Sequence, residues 1–233
     1  NLQLSRSSID NPIYARRGSQ FTLGLKITPP YSLIKGTTDA QYAQMTTSEK
    51  YNLLEYHKWK FSGKVFTPLS ADSKLVLMAR AEFGYLGHYN KNVKSPFESY
   101  YMGGDGMSSY SSYSTEYIAM RGYQSGSLTP YDPATGRNMG YVFNKFTMEL
   151  RYPIALEQNA TIWALAFVEA GNCFADIRDY NPFNLKRSAG IGVRLFLPMF
   201  GLMGIDWGWG FDPINGSTQY GGSQFHFVLG QEL

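Results

Sequence analysis

The stretch Val142-Phe143-Asn144-Lys145-Phe146-Thr147-Met148-Glu149-Leu150-Arg151 alternates between two sets of side chains. One set is largely apolar, and the other carries the charges of Lys145, Glu149 and Arg151. Because successive side chains of a β-strand point to opposite faces of a sheet, a period of two predicts a strand. This strand has one apolar face and one charged face, and that combination decides the fold.

The same alternation recurs in eight further stretches of the chain. They lie near residues 2–10, 20–27, 58–65, 75–83, 161–170, 188–195, 203–211 and 225–229. The composition agrees, because aromatic residues make up 16% of the chain and glycines number 24, which is typical of all-β proteins with many short strands. The chain is therefore predicted to be all-β and antiparallel, with nine strands or so and no helix required.

The connections between the predicted strands alternate between short turns and long polar loops. The short turns lie near residues 11–18, 68–72, 153 and 198–201, and the longest loop covers 88–140, with a Tyr/Ser-rich stretch at 108–117. A soluble β-sandwich has no reason to sort its connections in this way. An up-and-down barrel in a membrane does, because short turns lie on one side of the membrane and long loops on the other.

The charges on the strands fit the same architecture. They are isolated on one face of each strand, opposite an apolar face: Lys145, Glu149, Arg151, Glu169, Arg194 and Asp206. In a membrane barrel the apolar face meets lipid and the polar face lines the lumen. We therefore predict a transmembrane antiparallel β-barrel whose loop 88–140 is extracellular and folds into the lumen.

Nine is an odd number of strands for such a barrel. Bacterial single-chain barrels have even numbers of strands, because both termini lie on the periplasmic side. The expectation is that residues 1–233 form the C-terminal portion of one larger outer-membrane barrel domain, with further strands before Asn1.

Composition argues against several other classes of protein. The 21 basic and 18 acidic residues give a net charge of +3, too mild to indicate nucleic acid as a partner. One cysteine excludes an internal disulfide, and three scattered histidines offer no metal-site spacing. No apolar run reaches the roughly 18 residues of a transmembrane helix. Because no nucleophile elbow, phosphate loop or His–carboxylate cluster is present, the chain is predicted to be a non-enzyme without cofactor or metal.

The loop 88–140 contains Met120-Arg121-Gly122-Tyr123-Gln124-Ser125-Gly126-Ser127 deep in its interior. One interpretation is an exposed turn with an incidental arginine. The other is a loop that folds back into a cavity, where Arg121 binds carboxylates, Gly122 allows a sharp turn and Tyr123 packs.

These residues resemble the BamA family, the outer-membrane protein assembly factors. Met120–Ser125 is similar to the family's Val-Arg-Gly-Phe motif in its sixth extracellular loop, with Met and Tyr in place of Val and Phe. The lead 97–104 and the segment 127–130 are similar to the family's flanking residues. The resemblance covers nearly the whole chain and implies the C-terminal half of a barrel of about 16 strands.

The resemblance also supplies partners for Arg121. Glu149 lies where the family's strand after the loop has a glutamate, and Phe167 and Glu169 lie where the next strand has an aromatic residue and an aspartate. All three fall on the charged face of their strands, so together with the motif they would form a lock that holds the loop in the lumen. The alternative is that the two carboxylates are simply structural partners of Arg151 or Arg194.

The last predicted strand resembles the family's terminal strand. Phe225 and Phe227 alternate as lipid-facing aromatics, and Gly230 matches a glycine at which the strand bends and pairs less firmly with the first strand. An ordinary closing strand is the alternative. The final residue is Leu233, where outer-membrane proteins usually have Phe or Trp.

The resemblance implies a function in inserting and folding β-barrel proteins in the outer membrane. A seam between first and last strands would open laterally, and the exposed edge would template the incoming chain without ATP. The implied partners are unfolded outer-membrane β-barrel substrates, accessory assembly proteins, upstream periplasmic repeat domains and outer-membrane lipid, and the implied location is integral to the bacterial outer membrane. Two alternatives remain: a sister translocation or secretion transporter, and a passive channel with Arg121 lining an open eyelet.

Overall fold

The computed structural model describes residues 1–50, 52–90, 94–107, 115–133, 136–157 and 159–230. Its strands are β1 (Leu2–Ser7), β2 (Gly18–Ile27), β3 (His57–Pro68), β4 (Val76–Gly87), β5 (Tyr100–Met102), β6 (Glu116–Ile118), β7 (Tyr131–Asp132), β8 (Arg137–Asn138), β9 (Val142–Leu156), β10 (Thr161–Phe174), β11 (Lys186–Leu197), β12 (Gly201–Pro213) and β13 (Tyr220–Leu229).

Nine of these strands form one antiparallel sheet in the order β1-β2-β3-β4-β9-β10-β11-β12-β13. Each strand pairs with the next along the chain, and β4 reaches β9 across the long loop. The nine-stranded, up-and-down, all-β prediction is therefore confirmed. The transmembrane barrel follows from how the two faces of this sheet are composed.

The faces of the sheet are inverted relative to a soluble protein. Along β9, Lys145, Thr147, Glu149 and Arg151 are buried on the inner face, and the intervening apolar side chains are exposed on the outer face. The exposed outer set continues on neighbouring strands: Val168, Ile191, Val193, Ile205, Trp207 and Trp209. An apolar exterior around a polar interior suits lipid outside and a lumen inside.

The predicted alternation of short and long connections holds except at the last connection. Short turns span 8–17, 69–75, 157–160 and 198–200, and the connections on the other side span 28–56, 88–141, 175–185 and 214–219. The last of these has six residues, fewer than the ten of the turn 8–17, because β12 ends two residues later and β13 begins five residues earlier than predicted.

The prediction that no helix is required was wrong for the connection 28–56. It contains α1 (Tyr31–Lys35), α2 (Asp39–Gln44) and α3 (Thr47–Lys50), and a 3₁₀ turn covers Ile177–Asp179 in another connection. A capping box explains the start of α2, since the backbone N of Thr38 donates to the side chain of Gln41, three residues on.

No helix in the described part of the chain is long and apolar enough to cross a membrane.

The long loop builds its own small structure against the inner face of the sheet. β5 pairs in parallel with β6, and β7 pairs with β8. Buried residues of the loop pack with strand residues in one apolar cluster: Leu86, Tyr100, Met102, Ile118, Met120, Tyr123, Leu128, Met139, Tyr141, Phe143 and Cys173. Of the Tyr/Ser-rich stretch 108–117, residues 108–114 lie outside the described residues.

Candidate functional site

The lead of the loop, residues 97–104, contacts the motif stretch 120–127, which forms the loop tip. Gly104 N donates to Tyr123 O at 3.0 Å, and Met120 N donates to Gly104 O at 3.0 Å. Gly103 adopts φ +126°, and a Cβ there would lie 2.4 Å from Gln124 O. The Gly-Gly pair therefore allows the lead to lie directly on the backbone of the motif.

Arg121 is fully buried and contacts three carboxylates. Its Nη2 lies 2.7 Å from Glu149 Oε1 and 2.8 Å from Glu169 Oε1, and its Nε donates to the same Glu169 oxygen at 3.1 Å. Its Nη1 donates to Asp206 Oδ2 at 3.3 Å, and its backbone N donates to Glu169 Oε2 at 2.9 Å. The planar guanidinium thus bridges β9, β10 and β12 through charge-assisted hydrogen bonds.

Phe167 supplies the face on which the guanidinium rests. The Arg121 Cζ lies 3.6 Å from the ring centroid, which is close enough for a cation–π interaction. Phe167 pairs with Gly190 of β11, and a Cβ on that glycine would lie 2.6 Å from the Phe167 ring. A glycine at this position therefore leaves the room that the ring occupies.

Further cations on the inner face share the carboxylates. Arg151 donates to Glu149 Oε2 at 2.8 and 2.6 Å, Arg194 donates to both oxygens of Asp206 at 2.7 Å, and Lys145 lies 3.1 Å from Glu169. The structural pairing of Glu149 with Arg151 therefore coexists with its contact to Arg121, since each uses a different carboxylate oxygen. Each carboxylate that contacts Arg121 thus also has a cation on the strands themselves.

Tyr123 packs on the far side of the tip. It is buried in the apolar cluster, and its hydroxyl donates to Arg187 O at 2.8 Å and accepts from Asp212 N at 3.3 Å. Gly122 adopts φ +84° and lies between Arg121 and Tyr123 on the inner face of β12. All three motif residues thus contact β12, while Arg121 also reaches β9 and β10 and Tyr123 also reaches β11.

The terminal strand presents its aromatics outward. Phe225 and Phe227 are exposed on the outer face of β13, while His226 between them is buried on the inner face. Gly230 follows the strand with φ +73° and donates from its N to Leu202 O at 2.7 Å. Leu233 lies outside the described residues.

A second cluster of ion pairs fastens the loop to β2 and β3 through Glu98 of the lead and Glu116 of β6. Lys58, which is 4% exposed, donates from Nζ to Glu98 O at 2.9 Å and to Glu98 Oε2 at 3.1 Å, and lies 2.9 Å from Glu116 Oε2. Lys26 also binds Glu98, and Lys60 binds Glu116. The loop is therefore attached to the sheet at two places, one on β2 and β3 and the other on β9, β10 and β12.

In this second cluster, ion pairs hold Glu98 in an uncommon backbone conformation. Glu98 adopts φ +65°, an uncommon conformation for a residue with a side chain, so the ion pairs offset some strain there. Burial raises the pKa of Glu116, but Lys58 and Lys60 outweigh it and hold that pKa below its usual value. Burial also raises the pKa of Glu98, but Lys26 and Lys58 outweigh it and hold that pKa below its usual value. These depressed pKa values contribute stability above the ordinary glutamate pKa, which is lost as pH falls through the lower folded values.

Replacement of Lys58 with methionine is expected to reduce the free energy that holds the loop on β2 and β3 by about 1–3 kcal/mol, because two carboxylates lose a buried partner. Lys26→Met is the matched control, since Lys26 binds the same Glu98 carboxylate but its side chain is 44% exposed. Limited proteolysis of the loop in the full-length protein measures the difference. Equal cleavage rates in the two variants would contradict the role of Lys58.

Sequence reasoning missed several residues of the site. Asp206 was placed among the lumen-facing charges but not with Arg121, because its strand is far from the loop along the chain. Lys58 and His226 were also missed. A signal existed for His226, since a polar ring between two lipid-facing phenylalanines must point into the lumen.

Comparisons with known proteins agree with the fold. The model of the Omp85 superfamily domain matches residues 1–233. No protein of curated function matches the sequence. Among solved structures, BamA from Haemophilus ducreyi lacking POTRA domains 1–3 is similar, with a TM-score of 0.62 and 18% sequence identity over 98% of this chain. The chain spans 42% of the length of that BamA structure.

Proposed function

Because the chain belongs to the Omp85 superfamily, we propose that it serves the insertion and folding of β-barrel proteins in the bacterial outer membrane. In this proposal the chain is the C-terminal portion of a larger barrel that is integral to that membrane. Its partners are unfolded β-barrel substrates and accessory assembly proteins, and it works without a cofactor or catalytic residues.

One observation carries the proposal, namely the burial of Arg121 among Glu149, Glu169 and Asp206. Burying a cation costs free energy unless carboxylates pair with it. The loop tip can therefore be buried in the barrel only where the strands supply such carboxylates. In this proposal Arg121 and these carboxylates form the lock that the resemblance to the BamA family implies. A loop fixed in this way braces the inner wall while another part of the barrel moves.

The terminal strand supplies the part that moves. Strand β13 pairs with β12 along one edge, and in this proposal its other edge meets the first strand of the larger barrel at the seam, where pairing can be exchanged. An incoming chain in β conformation would pair there by strand addition. Backbone hydrogen bonds satisfied in lipid and apolar side chains facing it favour the inserted product.

The contacts of Arg121 weigh against the passive channel. In a channel, Arg121 would line an open eyelet and select ions by its charge. Here the guanidinium is 0% exposed and stacks on Phe167, so it offers no charge to passing ions. The full-length protein is accordingly expected to show a small and fluctuating conductance in planar bilayers.

The test is insertion of an unfolded outer-membrane β-barrel substrate into proteoliposomes that contain the full-length protein, followed by protease protection. We expect protected substrate to accumulate faster than in protein-free liposomes. An equal rate in the two preparations would contradict the proposal. Translocation of a polypeptide into the vesicle lumen without insertion would instead indicate a sister transporter, and a large steady conductance would indicate a channel.

A further inference from the structure

The tip of the loop lies on the last two strands without side chains between. A Cβ on Gly208 would lie 2.8 Å from Gly122 N, and Cβ atoms on Gly210 and Gly221 would lie 2.4 and 2.6 Å from Gly122 O. Gly208 and Gly210 are on β12, and Gly221 is on β13. Three glycines of the sheet thus form a bare patch, and the backbone of Gly122 rests on it.

His226 of β13 reaches the same backbone. Its Nε2 accepts a hydrogen bond from Gly122 N at 2.8 Å, and its side chain is almost completely buried. The buried N–H of Gly122 needs an acceptor, and the imidazole supplies it. An Nε2 that accepts must carry no proton, so the ring is neutral with its hydrogen on Nδ1.

The neighbour of His226 across the sheet belongs to the lock. His226 pairs with Asp206 of β12, and Asp206 binds both Arg121 and Arg194. The contacts from Arg121 to Asp206 and from Gly122 to His226 therefore run side by side on adjacent strands. The tip is tied to β13 as well as to β9, β10 and β12.

The link to β13 differs in kind from the other links. Arg121 binds β9, β10 and β12 through charge-assisted hydrogen bonds, whereas His226 binds Gly122 through a neutral one, which is weaker. The glycine patch adds van der Waals contact with the Gly122 backbone and with the Tyr123 ring, which lies on Gly221 of β13. Strand β13 can therefore leave the tip while the tip stays on the other strands.

We propose that His226 is a positioning residue that fastens the terminal strand to the loop tip and is released when that strand moves. The inference rests on the proposed function, in which the terminal strand forms one side of the seam. The imidazole–amide bond would then set how readily the seam opens, and the ion pairs of Arg121 would keep the loop in place during opening.

The test compares amide hydrogen exchange in three variants of the full-length protein in lipid nanodiscs. His226→Phe keeps a ring but removes the acceptor, and His226→Gln offers an amide oxygen in its place. Gln224→Met is the matched control, because Gln224 lies on the same strand and bonds to Gly221 O within it rather than to the loop. Exchange is read by mass spectrometry for peptides covering 220–229, 142–156 and the loop tip.

We expect His226→Phe to raise exchange in 220–229 by about tenfold and to leave 142–156 unchanged, with His226→Gln and Gln224→Met close to wild type. Unchanged exchange in 220–229 for His226→Phe would overturn the proposal. A uniform rise across 142–156 as well would also overturn it, because it would indicate general destabilisation. Failure of the proposed function is separate, since it would appear as absent insertion activity in the wild-type protein.

Discussion

Replacement of Arg121 with alanine is expected to destabilise the full-length barrel and its loop by about 3–5 kcal/mol, the cost of leaving buried charges without their partner. Glu149, Glu169 and Asp206 would then face one another across the space left by the guanidinium. Their remaining cations offset part of this repulsion. Even so, the loop loses a side chain that contacts β9, β10 and β12 together.

The loss is measured as a shift of the unfolding midpoint in detergent, which is monitored by heat-dependent electrophoretic mobility. Arg187→Ala is the matched control, because Arg187 also forms a bidentate pair, with Asp212, but its side chain is 66% exposed. We expect the control to leave the midpoint almost unchanged. Equal midpoints for the wild type and the Arg121 variant would show that the buried pairs do not hold the loop.

Replacement of Gly122 with alanine is expected to have the second largest effect. The conformation at φ +84° costs about 1–3 kcal/mol for a residue with a side chain. The new Cβ would also lie 2.8 Å from Gly210 N and from Trp209 C, which are backbone atoms of β12. Because the sheet cannot yield at that point without losing ladder hydrogen bonds, the tip must lift away.

Gly216→Ala separates the two costs of this substitution. Gly216 has φ +74°, close to that of Gly122, but a Cβ there meets nothing within 4 Å. We therefore expect a small fall in the unfolding midpoint for Gly216→Ala and a clearly larger fall for Gly122→Ala, with increased proteolysis of the loop only in the latter. Similar falls in both variants would mean that the close approach to β12 contributes nothing.

The sheet was predictable because lipid and lumen impose a simple rule on each residue. In β9 the alternation of Lys145, Thr147, Glu149 and Arg151 with apolar residues is strict. The sequence therefore predicts the strand and which of its side chains face lipid or lumen. The helices of the connection 28–56 were not found, because short capping patterns such as Thr38 with Gln41 are easily passed over in a polar loop.

The site was predictable only in part, and the reason is distance along the chain. Glu149 and Glu169 lie on the two strands that follow the loop, and the family resemblance placed them beside Arg121. Asp206 and His226 approach the tip from β12 and β13, which requires the curvature of the whole sheet. No local pattern in the sequence encodes that curvature.

The charge of Arg121 against Glu149, Glu169 and Asp206 is expected to hold the loop tip in the lumen. Exchange of charges between Arg121 and Glu169 in the full-length protein tests it most directly. Arg121→Glu alone should impair folding of the barrel and substrate insertion in proteoliposomes, and the double variant with Glu169→Arg should recover part of both. Normal folding and insertion in the single variant, or no recovery in the double variant, would contradict the claim.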